Sequence, residues 1–393
     1  MQKRPLLPAG DLDIQDAKRG VGGYPHIVAC RIHGRRPPRG SGGGERILRY
    51  HGGRETGKID FSVNVNPVPP PDEVSEVLRA CLAENLIRGY PDYEYRDLKD
   101  AIGSFYDLDE VVPLNGSSEG VLLALVATRS RRIIVVQPSY GEYRDLAEAM
   151  NVRYEPVEMS VDGSKFVLDL DAVRPRCADP EAIVVVTNPN NPTGGFLDPR
   201  ELEGLASECR SWILLDEAYA ELSDAYPGIR PPTGDRVVVL RSLTKWLSVP
   251  GLRIGFAAVE GELARRMDAL RAPWNVNSAA DCFARRALGE FRDRLRSYIT
   301  ISREYISAER SRMSGRMKSI GLQPFEGSAN FLLVHSPWST DGLAAYLRSR
   351  GILIREAWTF EGLDRTFFRT AVRSREEDDA LLAALEGYAH GAQ

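Results

Sequence analysis

Four short, unbroken apolar runs constrain this chain more than any other feature: Ile133–Val136, Ile183–Val186, Trp212–Leu215 and Val237–Leu240. Each is rich in Val, Ile and Leu and shows no alternation with polar residues. A strand with one wet face alternates, so a strand that is apolar at every position must be covered on both faces. Helix-like segments lie between the runs, such as Arg200–Cys209, which gathers Leu202, Leu205 and Ala206 on one side. Strands and helices in alternation predict an α/β domain built on a mainly parallel, doubly covered sheet.

Beyond Asn277 the pattern changes. The stretch from Asn277 to Ser319 holds no proline and reads as long helix. Apolar strands follow at Phe331–His335, Ile352–Arg355 and Phe367–Val372, and a terminal helix starts at Arg375. This predicts a second, smaller α+β domain. Residues 1–45 differ from all the rest, being rich in Gly, Pro and Arg without apolar periodicity. Such a segment buries too little surface to offset its ordering entropy, and a disordered basic extension is expected. The expected organisation is therefore an extension at 1–45, an N-terminal arm with part of the small domain at 46–80, a large domain at 81–280, and the long helix with the C-terminal small domain at 281–393.

Composition narrows the function classes. Among 393 residues the formal net charge is −4, so no whole-molecule basic field favours nucleic acid. No run of about 18 apolar residues exists to span a membrane, and the N-terminus lacks the apolar core of a secretory signal. The five cysteines (Cys30, Cys81, Cys177, Cys209 and Cys282) are scattered and never form a CxxC pair. Reduced, mostly buried thiols in a cytoplasmic setting are the expectation. The histidines show no metal-ligand spacing, and no metal site is expected.

The chemistry-bearing residues cluster where the apolar runs end, and in open parallel sheets ligands bind beyond the carboxyl ends of the strands. Val136 is followed by Gln137-Pro138-Ser139-Tyr140, and Val186 by Thr187-Asn188-Pro189-Asn190-Asn191-Pro192-Thr193-Gly194-Gly195. Leu215 leads into Asp216-Glu217-Ala218-Tyr219, and Leu240 into Arg241-Ser242-Leu243-Thr244-Lys245. Singly, each has a plain explanation: a turn sequence, a helix-capping aspartate, a surface lysine. Chance does not place all of them, in this order, at strand ends.

From about Tyr50 to Leu385 the chain resembles the class I/II aminotransferases of fold type I, enzymes that use pyridoxal 5'-phosphate (PLP). The most specific elements are Ser242-Leu243-Thr244-Lys245 followed by Gly251-Leu252-Arg253-Ile254-Gly255, together with Asn191-Pro192-Thr193-Gly194 and Asp216-Glu217-Ala218-Tyr219. The resemblance implies that Lys245 holds the cofactor covalently, because an ε-amine forms an imine that a substrate amine can displace. Asp216 would keep the pyridine nitrogen protonated, making the ring an electron sink. Tyr219 and Asn191 would hydrogen-bond the ring's phenolic oxygen, and Tyr140 would stack on its face. Arg253 matches the family's phosphate arginine and Ser242 the matching hydroxyl. Gly116, Ser117 and Ser118, ahead of an apolar helix at Val121–Ala127, offer free amides and hydroxyls for the same phosphate, although a plain helix cap explains the serines equally well. Arg88-Gly89-Tyr90-Pro91 matches a motif whose tyrosine reaches the neighbouring subunit's cofactor, which implies a homodimer with a shared active site.

Within the group, the sequence resembles threonine-phosphate decarboxylases, which serve cobalamin side-chain biosynthesis. His51-Gly52-Gly53 and Asp60-Phe61-Ser62-Val63-Asn64-Val65-Asn66-Pro67 look like that family's N-terminal signature, and Phe368-Arg369-Thr370-Ala371-Val372-Arg373-Ser374-Arg375 like its C-terminal strand. The spacing between the two N-terminal motifs is shorter than in many decarboxylases, and the basic extension is atypical. Arg369 matches a family arginine that grips a substrate anion, Arg355 matches a second, and His51 would add a donor. Two guanidiniums facing one pocket suit an amino-acid phosphate. The alternative is an aminotransferase such as histidinol-phosphate aminotransferase, since one cofactor serves both reactions, depending on which Cα bond stands perpendicular to the ring. A remoter alternative is a regulator that binds PLP without catalysis, although residues 1–45 show no helical period for a DNA-binding module.

Overall fold

The computed structural model describes residues 52–53, 55–83 and 88–391. The expected extension at 1–45 and His51 lie outside the described residues. Among those described, no helix is long and apolar enough to cross a membrane, and no group of His, Cys, Asp and Glu is placed to hold a metal ion.

A seven-stranded sheet forms the centre, in the order Val111–Leu114, Gly255–Ala258, Val237–Ser242, Trp212–Asp216, Ala182–Thr187, Arg132–Gln137, Arg153–Glu158. Gly255–Ala258 runs antiparallel to both its neighbours; every other pairing is parallel. The unbroken apolar runs sit in the middle of this sheet, and successive residues feed opposite cores. Ile134, Val136, Val184, Val186, Ile213, Leu215 and Val239 pack with Val74, Leu98, Ile102, Leu202 and Phe283 on one face. Ile133, Val135, Ile183, Val185, Leu214, Val238 and Leu240 pack with Val121, Leu125, Tyr143, Leu263 and Met267 on the other. Two-faced burial is thus the reason these strands carry no polar alternation.

Local signals fix the helix ends. Helix Pro199–Glu208 begins with a capping box, in which the Asp198 side chain accepts from Arg200 N and Glu201 reaches back to the Asp198 amide. The stretch expected as one long helix is two, Ser278–Glu290 and Arg292–Ser319, meeting at Phe291, whose backbone (φ −122°, ψ 29°) leaves the helical region. Gly289, a poor helix former, stands just before the break, and Phe291 packs against the first core.

The second sheet has four antiparallel strands, in the order Gln323–Pro324, Phe331–His335, Phe367–Ala371, Arg355–Glu356. The run expected as one strand over Ile352–Arg355 divides. Ile352–Leu353 pairs instead, in parallel, with Ile59–Asp60 from the N-terminal segment. Helix Arg292–Ser319 serves both sheets: Leu295, Tyr298, Ile299 and Ile306 join the first core, whereas Met313 and Met317 join Phe61, Leu332, Val334, Phe368 and Leu381 in another.

The cysteines correct one expectation. Rather than remaining reduced, Cys81 is bonded to Cys282 and Cys177 to Cys209, with Cα–Cα separations of 5.9 and 5.1 Å. Both lie within the span a disulfide bridges without moving the backbone. The sequence hides this because the partners are 201 and 32 residues apart, and only packing brings helix Asp72–Ala83 against helix Ser278–Glu290.

Candidate active site

Parallel strands end side by side, so residues distant in sequence meet along one edge. Ser117, Ser118, Tyr140, Asn191, Asp216, Tyr219, Ser242, Lys245 and Arg253, all singled out from the sequence, line a single cavity of about 180 Å³, together with Tyr143, Thr187, Ala218 and Thr244. Lys245 points its Nζ over the Tyr219 ring, 5.8 Å from the centroid. Thr187 and Asp216 pair across neighbouring strands, which sets the carboxylate at the floor.

Asp216 is buried. Its Oδ1 accepts from the Ala218 amide at 3.1 Å and its Oδ2 from the Tyr143 hydroxyl at 2.7 Å. Burial raises its pKa above the ordinary carboxylate value, opposed by those two hydrogen bonds and by the Lys245 charge. It caps no helix, which removes the plain explanation for its place after the strand. Tyr140 is pushed up to about 12 by burial, so it stays a neutral ring at any working pH.

The turn that carries Asp216 and Tyr219 is clamped from beneath. Arg241, fully buried, donates to Glu217 Oε2 at 2.9 Å, Glu221 Oε1 at 2.9 Å and the Tyr226 hydroxyl at 2.8 Å. Arg303 from the long helix donates to the carbonyls of Ala220, Glu221, Tyr226 and Gly228. Breaking a buried ionic cluster of this kind by deleting one partner leaves a charge uncompensated, so its members stand or fall together.

At the other end, the serines do not cap. The N-cap of helix Ser117–Thr128 is Gly116, with no side-chain capping bond, so Ser117 and Ser118 are free to face the cavity. Gly116 has φ +77°, and a Cβ there would lie 2.5 Å from Arg253 Nη2. The positive φ and this close approach of the guanidinium to the helix start both call for glycine. Amides, hydroxyls and one arginine thus converge as an anion cradle.

Arg369 and Arg355 sit behind Asn191. They are directly opposed across their antiparallel strands, and both are buried. Arg369 donates to Asn191 Oδ1 and to the Ser62 carbonyl at 2.8 Å; Arg355 donates to Thr359 Oγ1 at 2.7 Å. Phe360 lies under both guanidiniums. Burial works against the Arg369 charge, and its Nε has no hydrogen-bond partner among the described residues.

Tyr90 is not brought to this cavity. It lies 78% exposed, stacked on Trp274 at 4.2 Å, with Tyr93 edge-on to the same ring. Tyr143 and Asn64 are among the contributors not singled out from the sequence. Tyr143 stands one helical turn after Tyr140, a spacing that reads equally as core. Asn64 is buried with its Nδ2 3.5 Å from the Tyr219 hydroxyl and its Oδ1 unpartnered among the described residues; the Asn64-Val65-Asn66 motif was the available signal.

The residues present fit PLP: a lysine, a buried carboxylate, a flat aromatic face, and a cluster of hydroxyls, helix-start amides and one arginine that a Cβ at Gly116 would crowd. The family model for aminotransferase class I and II matches residues 56–385. Threonine-phosphate decarboxylase of Salmonella typhimurium is 30% identical over 347 residues, 85% of this chain and 92% of that protein. A histidinol-phosphate aminotransferase of Mycobacterium tuberculosis is 33% identical over 353 residues, 87% of this chain and 91% of that protein. The crystal structure of the histidinol-phosphate aminotransferase from Clostridium acetobutylicum superposes with a TM-score of 0.74 at 27% identity, covering 85% of this chain and 99% of that one.

Proposed function

The chain belongs to the class I and II aminotransferase family, and from that premise we propose that it is a PLP enzyme that decarboxylates an amino-acid phosphate, threonine phosphate being the substrate that fits. Its α/β fold is that of the fold type I members of the family. The cofactor supplies an electron sink that stabilises negative charge developing at the substrate's α-carbon. The chain's own residues do the rest. Lys245 Nζ would hold the cofactor and could carry a proton for the α-carbon; Asp216 would offer its charge to the ring nitrogen; Asn191 and Tyr219 would hydrogen-bond the phenolic oxygen; Tyr140 would cover the ring. Ser117, Ser118, Ser242, Arg253 and the amides beyond Gly116 receive the phosphate.

The observation that carries the substrate assignment is the opposed pair Arg355 and Arg369, two buried guanidiniums of which Arg369 reaches the cavity wall through Asn191 and Arg355 stands beside it on the neighbouring strand. One fits an α-carboxylate and the other a phosphate, a match that threonine phosphate meets at both ends. Histidinol phosphate has a phosphate and an amine but no carboxylate. The reading extends to His51 as a further phosphate donor, to a place in cobalamin side-chain biosynthesis, and to a cytoplasmic enzyme whose disulfides are protected by burial, Cys81 and Cys177 each being 1% exposed. It keeps the division into an extension (1–45), an arm with part of the small domain (46–80), a cofactor domain (81–280) and the long helix with the C-terminal small domain (281–393). It also takes the exposed Tyr90, Tyr93 and Trp274 patch as a homodimer face, through which Tyr90 enters the second subunit's site.

The test is direct. Incubation with threonine phosphate should release CO2 without forming a keto acid, and sedimentation should give twice the 43.6 kDa chain mass. Arg369→Ala should weaken kcat/KM for phosphorylated and unphosphorylated threonine alike, by about tenfold to a hundredfold for a charge-assisted contact. Arg355→Ala should weaken the phosphorylated substrate while sparing threonine. Transamination of histidinol phosphate with no CO2 from threonine phosphate would reassign the enzyme to the aminotransferases, the activity named for the 33%-identical relative.

A further inference from the structure

The Tyr143 hydroxyl is fully buried and aims at Asp216, not at bulk water. Its proton goes to Asp216 Oδ2 at 2.7 Å, and its oxygen lies 3.3 Å from Thr187 Oγ1. Since the phenol has one proton and spends it on the carboxylate, the threonine hydroxyl is the donor in the second contact. The order Thr187, Tyr143, Asp216 is therefore a directed chain ending on the carboxylate. With Ala218 N on Oδ1, each carboxylate oxygen holds one donor. The Tyr143 ring also meets Tyr140 edge-on at 5.7 Å and 82°, so it braces the residue that would cover the cofactor face.

From this geometry we propose that Tyr143 is a positioning residue that acts through Asp216, holding it ionised and aimed at the cofactor's ring nitrogen while buttressing Tyr140. The inference rests on the PLP reading above and adds a role to a residue outside that set. A buried carboxylate left to itself takes up a proton, because a low-dielectric surrounding disfavours charge. A neutral Asp216 would let the ring nitrogen lose its proton. Donors that bind the ionised form oppose this, and the phenol is the nearer of the two. It keeps that role at every working pH, because burial and the neighbouring carboxylate hold the Tyr143 hydroxyl far above the usual tyrosine range. A tyrosine placed for packing alone would leave Asp216 unchanged when its oxygen is removed, and that difference can be measured.

The experiment uses the full-length holoenzyme and Tyr143→Phe, which keeps the ring and deletes the oxygen. Three readouts are taken: the pH titration of the bound cofactor's visible absorbance, the Kd for PLP of the stripped protein, and the pH profile of kcat. The acid limb of the absorbance titration and of kcat should move up by about one to two pH units, and PLP should bind about tenfold to a hundredfold more weakly. Tyr143→His, which returns an N–H donor, should recover part of both. If Tyr143→Phe does not fold, Thr187→Val, which removes the hydroxyl that feeds the phenol, should move the titration in the same direction by less. A folded Tyr143→Phe whose titration and PLP Kd both match wild type would overturn the proposal. A wild-type protein that takes up no PLP would instead sink the reading beneath it.

Discussion

Lys245→Ala should take up no PLP that borohydride fixes to the chain and should lose turnover by at least the roughly 10²–10⁴-fold that one positioned proton-transfer group contributes. The wild type should be yellow, and borohydride should bleach it and fix the label on Lys245. The structural reason is that Lys245 lines the cavity with Asp216, Tyr219 and Arg253, and no other lysine is among the cavity's lining residues. Label on a second lysine, or turnover within a few-fold of wild type, would show that the nucleophile lies elsewhere.

The largest effect on stability should come from the disulfides. Cross-linking residues 201 and 32 apart removes loop entropy from the unfolded chain, and losing such a bridge costs roughly 2–5 kcal/mol. At about 2.1 cal/mol/K per residue of unfolding entropy, each bridge should then be worth about 3–7 °C in Tm. The paired variants Cys81→Ala with Cys282→Ala, and Cys177→Ala with Cys209→Ala, measure the two separately. Thiol titration of the denatured, unreduced chain should find Cys30 alone, and reduction should raise the count to all five cysteines. A full count before reduction would show the bridges absent in solution.

The sequence made the site's large-domain wall legible because each of its residues is tied to a strand end, and strand ends are the one place where an apolar run must give way to polar chemistry. Asp216 and Lys245 follow directly on Leu215 and, within a few residues, on Leu240. Tyr143 escaped because it sits inside helix Glu142–Ala149 among residues that pack on the sheet, where a tyrosine looks like core. Its hydroxyl partner is 73 residues away. The disulfides escaped for the same reason, since pairing depends on which helices pack together and not on spacing. The break at Phe291 escaped because no proline marks it, and Gly289 alone is too weak a signal to end a helix.

The pairing of Ile59–Asp60 with Ile352–Leu353 has a consequence for how the protein is made. A ribosome delivers the chain N-terminus first, yet the arm's partner strand comes out almost three hundred residues later. The seven strands of the central sheet, all between Val111 and Ala258, and the helices covering them up to Ile306, are complete before then. Nascent chains halted at Ser319 should therefore resist protease across the central sheet while remaining open to cleavage around Phe61, whose amide waits for the Leu353 carbonyl and whose carbonyl waits for Ala371 N. Protection around Phe61 in such halted chains would contradict this order. The consequence reaches the chemistry: a chain halted there already holds Lys245, Asp216 and Arg253, but lacks Arg355 and Arg369. The large-sheet side of the pocket is thus born first, and the strands that carry Arg355 and Arg369 join it only near the end of translation.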